Sequence, residues 1–252
     1  MKRADADSDH PGISIAQASH IGRVRAANED QVVVLEEKGL FVLTDGMGGH
    51  AGGGVASRVA IDEIVAGVLS GANLVEAVAQ ANRVVVETGR QSGAPDMGTT
   101  VVALRLKGCD FELAWVGDSR AYRFNGKPER LTVDHSVVRN MVASGEIGET
   151  EARDHPLRSM LTRALGSAGL KLSEIGTASG QWHPGDYLLL CSDGLHGVLD
   201  DEQMHGLIRG AGGVQSAVDA LLQAALDRGG PDNVSMVLLG PQKTDDRIIS
   251  GG

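Results

Sequence analysis

The stretch LTDGMGGHAGGG, from Leu43 to Gly54, ends an apolar run with one aspartate and then places a glycine at nearly every second position. A glycine-rich turn after a strand often binds a nucleotide phosphate, and Gly46, Gly48 and Ala51 fit the relaxed dinucleotide fingerprint. Asp45 argues against that interpretation, because a carboxylate at the mouth of the turn would repel a pyrophosphate unless a cation lay between them. The phosphate-loop alternative fails because no Gly-Lys-Ser/Thr follows. The loop is therefore better suited to a metal ion than to a bare nucleotide.

The composition indicates a globular protein that is acidic and rich in turns. Its 252 residues include 42% hydrophobic residues, which is enough for a sizeable core. The 35 glycines are about twice the usual share and predict many tight turns. The net charge of −10 argues against a general nucleic-acid binder, since phosphate contacts need a basic face.

The two cysteines and the apolar segments indicate a cytoplasmic setting. Cys109 and Cys191 lie far apart without a C-x-x-C spacing, so we expect two small buried side chains rather than a zinc or redox site. The first twelve residues have no apolar leader pattern, and no run of 18 apolar residues occurs. These features predict a soluble, cytoplasmic protein without direct membrane insertion.

The order of predicted elements favours an α+β fold. Strands come in groups and helices in pairs rather than alternating singly, which indicates mostly antiparallel sheets with helices layered outside. Asn125-Gly126 predicts a hairpin turn, and a polar excursion is predicted over 145–156. The predicted strands cover 13–19, 31–36, 40–44, 99–106, 111–116, 120–124, 130–132, 174–178, 187–192 and 234–239. The predicted helices cover 55–69, 74–88, 136–144, 201–209 and 214–228.

Aspartates bound several of these apolar strands. Asp45, Asp118 and Asp193 each follow one, and Asp232 precedes the last. Each alone is compatible with an ordinary turn or cap, but four together predict a carboxylate cluster that is stable around cations. Ligands that are all oxygen, without a His or Cys pattern, point to Mg²⁺ or Mn²⁺.

Eight ordered motifs between residues 13 and 239 carry a family resemblance. They are GRVRAANED (22–30), TDGMGGH (44–50), GTT (98–100), VGDSR (116–120), LTVDHS (131–136), LTRALG (161–166), CSDG (191–194) and GGPDN (229–233). The chain resembles the short bacterial branch of the metal-dependent serine/threonine protein phosphatases of the protein phosphatase 2C type, the PPM family.

The resemblance implies a four-layer α-β-β-α sandwich of two mostly antiparallel sheets flanked by helix pairs. It implies one catalytic domain over 13–240, with a flap at about 136–160 and flexible termini at 1–12 and 241–252. It also implies hydrolysis of phosphoserine and phosphothreonine in proteins at a dinuclear Mn²⁺ or Mg²⁺ site. A metal-activated water would act there, so no protein nucleophile is required.

The resemblance also assigns roles to individual residues. Asp45 would bridge both ions with the Gly46 carbonyl on one of them, and Asp193 and Asp232 would hold the other. Asp118, with Asp193, would form a possible third site. Glu29 and Asp30 would contact the metal ions through water molecules or would support the residues that bind the ions directly.

Arg25 and Met47 mark the substrate side of the resemblance. Arg25 takes the place of the family's phosphate-binding arginine, with Arg23 as a nearby competitor, and its guanidinium suits two phosphate oxygens. Met47 stands where animal members carry a histidine proposed to protonate the leaving group. The proton donor is therefore unassigned, with His50 or a water as candidates.

Several lesser signals have structural interpretations. Asp134, His135 and Ser136 are consecutive and so do not form a triad, because a triad is spatial; Asp134 or Ser136 is expected to cap a helix. Thr99, Thr100 and Asn233 are expected to have supporting roles. We expect three histidines without metal-ligand spacing to be surface or turn residues, namely His183, His196 and His205.

The partners implied by the resemblance are phosphorylated proteins and an opposing eukaryotic-like Ser/Thr kinase, and the chain is expected to be a monomer. One alternative is a catalytically weak regulator that binds phosphoproteins on the same fold, although such a protein would normally have lost a metal aspartate. A two-metal hydrolase of nucleotides or nucleic acid is disfavoured by the 3% aromatic content and the acidic charge. A developmental regulatory phosphatase would lack several of the motifs.

Overall fold

The computed structural model describes residues 13–47 and 52–242 and contains two five-stranded sheets. His50 and the predicted flexible termini lie outside these ranges, apart from Pro241 and Gln242. The first sheet has the order β1 (Ile13–His20), β12 (Val234–Pro241), β11 (Tyr187–Cys191), β8 (Arg120–Phe124), β9 (Pro128–Arg130). The second has the order β10 (Gly176–Gln181), β7 (Asp110–Val116), β6 (Val101–Lys107), β3 (Leu40–Thr44), β2 (Gln31–Leu35). A separate two-stranded ribbon joins β4 (Gly46–Met47) to β5 (Gly98–Thr99).

All strand pairs are antiparallel, and helices cover the outer faces of both sheets. The helices are α1 (Gly52–Leu69), α2 (Leu74–Ser92), α3 (Val137–Ala143), α4 (Glu149–Asp154), α5 (Asp193–His196), α6 (Asp201–Gly210) and α7 (Val214–Asp227). The pair α1 and α2 packs on the second sheet, and α6 and α7 pack together on the side of the first. The four-layer α-β-β-α sandwich is confirmed.

Strand β3 shows why the central strands are apolar without alternation. Leu40 and Val42 pack with α1 and α2, whereas Phe41 and Leu43 face the core between the two sheets. A strand that is covered on both faces needs apolar residues at every position. The same division places Met236 of β12 under α7 and Val237 between the sheets.

Local signals define the helix ends. Asn73 and Glu76 form a reciprocal capping box at the start of α2, and Gly93 ends that helix in the left-handed conformation with φ 73°. Asp200 and Gln203 form the same box at α6. Within the described ranges, no helix combines the length and apolarity that a bilayer crossing requires.

Several local predictions are corrected. The Asn125-Gly126 hairpin forms, but β9 begins at Pro128 because Phe124 pairs with Pro128 immediately after the turn. Strand β10 is Gly176–Gln181 rather than 174–178, because a 3₁₀ turn occupies Leu172–Glu174. Cys109 is exposed in the turn between β6 and β7, and of the two cysteines only Cys191 is buried.

The flap segment, defined as residues 136–160, contains two helices. The polar stretch 145–156 includes α4, whose acidic first turn suits the positive end of a helix dipole. The two ends of the flap segment are joined, since Val137 N–H donates to the Met160 carbonyl and Thr162 N–H to the His135 carbonyl (2.9 and 2.8 Å). The flap segment is therefore closed at its base.

Candidate metal centre

Five aspartates from both sheets meet at one end of the sandwich. Asp45 follows β3, Asp30 precedes β2, Asp118 follows β7, Asp193 opens α5 after β11, and Asp232 precedes β12. Strand register places them together, because antiparallel partners bring the end of one strand beside the start of the next. The sequence pattern of strands bounded by aspartate thus corresponds to a spatial cluster.

Four of the carboxylates in this cluster resist ionisation in the absence of cations. Burial raises the pKa of Asp30 to about 7, of Asp118 to about 8 and of Asp193 to about 6. Burial, followed by repulsion from its neighbours, raises the pKa of Asp45 well above its usual value. Both effects disfavour the charged form, so a bound cation would stabilise the cluster in its ionised state.

Asp30 has an unsatisfied oxygen inside the cluster. Its side chain is 2% exposed, and Oδ2 accepts a hydrogen bond from Ser192 Oγ at 2.9 Å. Its Oδ1 atom is buried without a partner. A buried carboxylate oxygen is normally paired, so an orphan of this kind suggests an ion or water.

The main chain of Asp45 is clamped by two buried threonines. Thr99 Oγ1 donates to the Asp45 carbonyl at 2.9 Å, and Thr100 N–H donates to the same oxygen at 2.8 Å. Asp45 N–H donates to Thr100 Oγ1 at 3.2 Å. Thr100 Oγ1 also lies 2.7 Å from Ser119 Oγ, beside Asp118. These contacts link the turns that carry Asp45 and Asp118.

Glycines allow the Asp45 corner to pack against the start of α1. A Cβ on Gly46 would lie 2.4 Å from the Gly53 carbonyl carbon, and one on Gly53 would lie 2.8 Å from the Gly46 carbonyl carbon. Gly54 N–H donates to Glu29 Oε1 at 3.2 Å. At these positions, glycine makes room for backbone-to-backbone contact between the metal-site turn and a helix N-terminus.

Arg25 reaches across to Asp232. Its Nε and Nη2 atoms donate to Asp232 Oδ1 and Oδ2 at 2.8 and 2.5 Å. The bond and charge of Asp232 raise the pKa of Arg25. Arg23, the competitor in sequence, instead donates through Nε to the Leu226 carbonyl at the end of α7. Of the two arginines, Arg25 is the one bonded to a cluster aspartate.

Asn233 ties the start of β12 to the loop that carries Glu29. Its Oδ1 accepts from Glu29 N–H at 2.9 Å, and its Nδ2 donates to the carbonyls of Ile21 and Ala27 at 2.9 and 3.0 Å. The three contacts hold a loop from one end of the chain against a strand from the other. Asn233 therefore has the supporting role that we expected.

The motif Asp134-His135-Ser136 supports the neighbouring site through three separate contacts. Ser136 Oγ caps α3 by accepting from Arg139 N–H, whereas Asp134 pairs with Arg120, whose Nη2 lies 2.6 Å from Asp134 Oδ2. His135 N–H donates to the Gly117 carbonyl at 2.9 Å, and Gly117 N–H donates to His135 Nδ1 at 3.2 Å. This motif therefore fastens the base of the flap segment to the turn before Asp118.

Two of the histidines expected at the surface are partly buried. His196 Nε2 lies 3.0 Å from the Asp118 carbonyl oxygen, and burial lowers the pKa of His196 to about 3. His205 stacks on Phe124 with ring centroids 5.8 Å apart. No periodic pattern predicts the contact between His196 and Asp118, because these two residues lie 78 positions apart.

An open cleft of about 1140 Å³ extends from the aspartates to the flap segment. Its lining includes Asp118, Asp193 and Asp232 at one end, and Arg139 and Glu149 of the flap segment at the other. Met47 carries no titratable atom and is 40% exposed. The cleft therefore connects the aspartate cluster with the flap segment.

The donor set fits hard divalent cations, although the side chains are not arranged as a finished site. No three His, Cys, Asp or Glu side chains in residues 13–47 and 52–242 are grouped so that they could hold an ion, and Asp232 is bonded to Arg25. The buried oxygens are nevertheless all of the type that Mn²⁺ and Mg²⁺ prefer. The orphaned Asp30 Oδ1 agrees with that fit.

The fold and the acidic cluster together define a two-sheet α-β-β-α protein with an oxygen-lined site at one end of its sandwich. Residues 16–233 match the family model described as protein phosphatase 2C. The chain belongs to the protein phosphatase 2C family, a family of serine/threonine phosphatases.

Curated and solved relatives agree with this membership. The chain is 32% identical over 233 residues to a serine/threonine phosphatase, stp, of Listeria welshimeri, covering 86% of this chain and 92% of that protein. It is similar to the crystal structure of the Mycobacterium tuberculosis serine/threonine phosphatase PstP/Ppp, with a TM-score of 0.84, 33% identity and coverage of 92% and 100% of the two chains. A structure of the PstP catalytic domain in complex with two manganese ions gives a TM-score of 0.81 at 31% identity, covering 92% and 99%.

Proposed function

We propose that this protein hydrolyses phosphoserine and phosphothreonine in phosphoproteins at a dinuclear Mn²⁺ or Mg²⁺ site. The observation that carries the proposal is the convergence of five aspartates at one end of the sandwich, where burial and mutual repulsion raise the pKa of four of them. Three of the five, Asp118, Asp193 and Asp232, line the open cleft. The protein phosphatase 2C family match and the manganese-bound relative support the choice of reaction and metal. We propose residues 13–240 as one catalytic domain that acts as a monomer.

The residues that would hold the ions can be named from the cluster. Asp45 would contact both, with the Gly46 carbonyl on one ion and Asp193 and Asp232 on the other. Asp118 and Asp193 would hold a possible third ion. Two metal ions in such a site lower the pKa of a water and neutralise phosphoryl oxygens during in-line displacement.

The chain's own groups would bind and orient the phosphate. Arg25 can exchange its two-point bond with Asp232 for an equivalent bond with two phosphate oxygens, because both acceptors have the same fork geometry. Thr99 and Thr100 would keep Asp45 in place through its main chain. Glu29 would hold the start of α1 through Gly54, and Asp30 would orient water through its free oxygen.

Phosphoproteins are the proposed substrates, and an opposing Ser/Thr kinase is the proposed partner. The relatives support the substrate class because they are named as serine/threonine phosphatases. The proton donor to the leaving hydroxyl is not assigned to Met47, whose thioether does not titrate.

The experiment that tests this function is phosphate release from a phosphothreonine peptide with Mn²⁺, with Mg²⁺ and with EDTA. We expect turnover that requires metal and that falls by about 10³-fold in Asp193→Asn, since losing several kcal/mol of charge stabilisation has that effect. Asp62→Asn, an exposed change on α1, is the matched control. Metal binding without turnover on several phosphopeptides would instead support the phosphoprotein-binding regulator.

A further inference from the structure

Three arginines and two carboxylates outside the aspartate cluster line the same cleft, namely Arg120, Arg130, Arg139, Asp134 and Glu149. Arg120 is bonded to Asp134, and Arg139 Nη1 lies 2.5 Å from Glu149 Oε1. Arg130 lines the same cleft and has no ion-pair partner within the described ranges. The positive charges therefore outnumber the carboxylates that they contact.

The electrostatic environment of Glu149 agrees with the excess of arginines over carboxylates. The hydrogen bond from Arg139 lowers the pKa of Glu149, and the charges of Arg139, Arg130 and Arg120 add to the effect. The Glu149 side chain is nevertheless 69% exposed, whereas that of Arg139 is 26% exposed. An exposed carboxylate thus covers a more deeply placed guanidinium.

The pair between Arg139 and Glu149 is easy to displace. Exposed ion pairs contribute little to stability because both ions stay partly hydrated. Glu149 is also the first residue of α4, a helix of six residues. A guanidinium can donate to any carboxylate or phosphate whose oxygens match its fork of N–H groups.

We propose that Arg130 and Arg139 form a subsite for a second negatively charged group of the phosphoprotein substrate, and that Glu149 fills this subsite when no substrate is bound. The inference rests on the proposed phosphatase function and narrows its substrate class to phosphorylated segments with further acidic or phosphorylated residues. Glu149 then competes with the substrate for Arg139.

The other carboxylates in the cleft do not cancel the expected preference for substrates with a second negative charge. Asp200 and Asp201 lie at the start of α6, and Asp200 Oδ1 already accepts from Gln203 N–H at 2.8 Å. Asp154 lines the cleft together with two further arginines, Arg153 and Arg158. Arg153 and Arg158 likewise have no ion-pair partner within the part of the chain that the structure describes.

The test compares phosphothreonine peptides that differ only in whether their flanking positions carry Glu, Gln or Lys. We expect kcat/KM to be about three- to tenfold higher for the acidic peptide than for the neutral one. This is the size of effect expected from a charge-assisted contact that is partly exposed to solvent. Arg139→Gln should abolish this preference by lowering kcat/KM for the acidic peptide to the value for the neutral one. Glu149→Gln should increase it, and Arg83→Gln on the exposed face of α2 should have no effect.

A second measurement separates this inference from the proposed function. Fluorescence anisotropy of the same labelled peptides is measured in EDTA, so that binding is followed without hydrolysis. Tighter binding of the acidic peptide, lost in Arg139→Gln and enhanced in Glu149→Gln, supports the subsite even if no peptide is turned over. Equal binding and equal kcat/KM for the acidic and neutral peptides would overturn it, even if turnover is vigorous.

Discussion

Arg25 and Asp232 are joined by two parallel hydrogen bonds although they lie 207 positions apart in the chain. The pair brings together a residue proposed to bind phosphate and one proposed to bind metal. Because both Asp232 oxygens are engaged, a cation must compete with Arg25 for that carboxylate. Metal affinity and phosphate affinity are therefore coupled through this one ion pair.

Replacement of Arg25 by Ala should separate the two affinities. We expect Mn²⁺ to bind more tightly, because Asp232 loses its competing partner, while kcat/KM for a phosphothreonine peptide falls about 10- to 100-fold with the lost charged hydrogen bonds. Arg25→Lys should not restore kcat/KM, since an ammonium lacks the planar fork. Calorimetric Mn²⁺ titration and steady-state kinetics check both effects, with Arg23→Ala as the control. An unchanged kcat/KM would remove Arg25 from the phosphate site.

The contact between Gly46 and Gly53 predicts a large effect of a single methyl group. Gly46→Ala places Cβ 2.4 Å from backbone, so the turn after Asp45 or the start of α1 must shift. We expect loss of Mn²⁺ affinity and a drop in thermal unfolding midpoint. Gly206→Ala is the matched control because its site in α6 is open, and it should stabilise the protein by about 0.5–1 kcal/mol. A Gly46→Ala protein with normal metal binding would contradict the packing argument.

The hydroxyl of Thr99 should affect metal binding without touching a metal. Thr99→Val removes the bond to the Asp45 carbonyl and the contact with Ser57 Oγ at 3.0 Å. We expect a loss of about 1–3 kcal/mol of folding free energy, as for a buried polar group that loses its partner, and weaker Mn²⁺ binding. Urea unfolding and calorimetry measure the two effects. The exposed strand position Thr177→Val is the control, and wild-type Mn²⁺ affinity in Thr99→Val would argue against a positioning role.

The fold was predictable where local pattern and long-range packing agree. Strand β3 is buried on both faces and is followed directly by Asp45, so both its core position and its candidate site residue follow from six letters of sequence. Helix α4 was not predicted because ETEARD has no apolar period and no side chain caps its first turn, which carries only the favourable charges of Glu149 and Glu151. The clustering of the aspartates was predicted, but the groups that hold each aspartate in place were not.

Those partners depend on register between distant segments. The bonds from Gly54 to Glu29 and between His135 and Gly117 join residues that no local pattern relates. The shift of β9 to Pro128 has the same origin, because the position of the strand is determined by pairing with Phe124 rather than by propensity. Sequence therefore indicated the chemistry of the site, and only the assembled sheets indicated which groups hold each aspartate.

The raised pKa values predict an unusual pH dependence for the metal-free protein. A carboxyl whose pKa is higher in the folded state than in the unfolded state stabilises the fold at low pH, and that stability is lost as pH rises through the folded value. The pKa is about 6 for Asp193, about 7 for Asp30 and about 8 for Asp118. We therefore expect the midpoint temperature of unfolding in EDTA to decrease as the pH rises from 5 to 8. Asp118→Asn should raise that midpoint at pH 8, and Mn²⁺ should remove most of the pH dependence by stabilising the ionised cluster. Thermal unfolding scans across this range measure the effect, with Asp62→Asn as the control. A metal-free midpoint that rises with pH would show that the fold does not raise the pKa values of these aspartates.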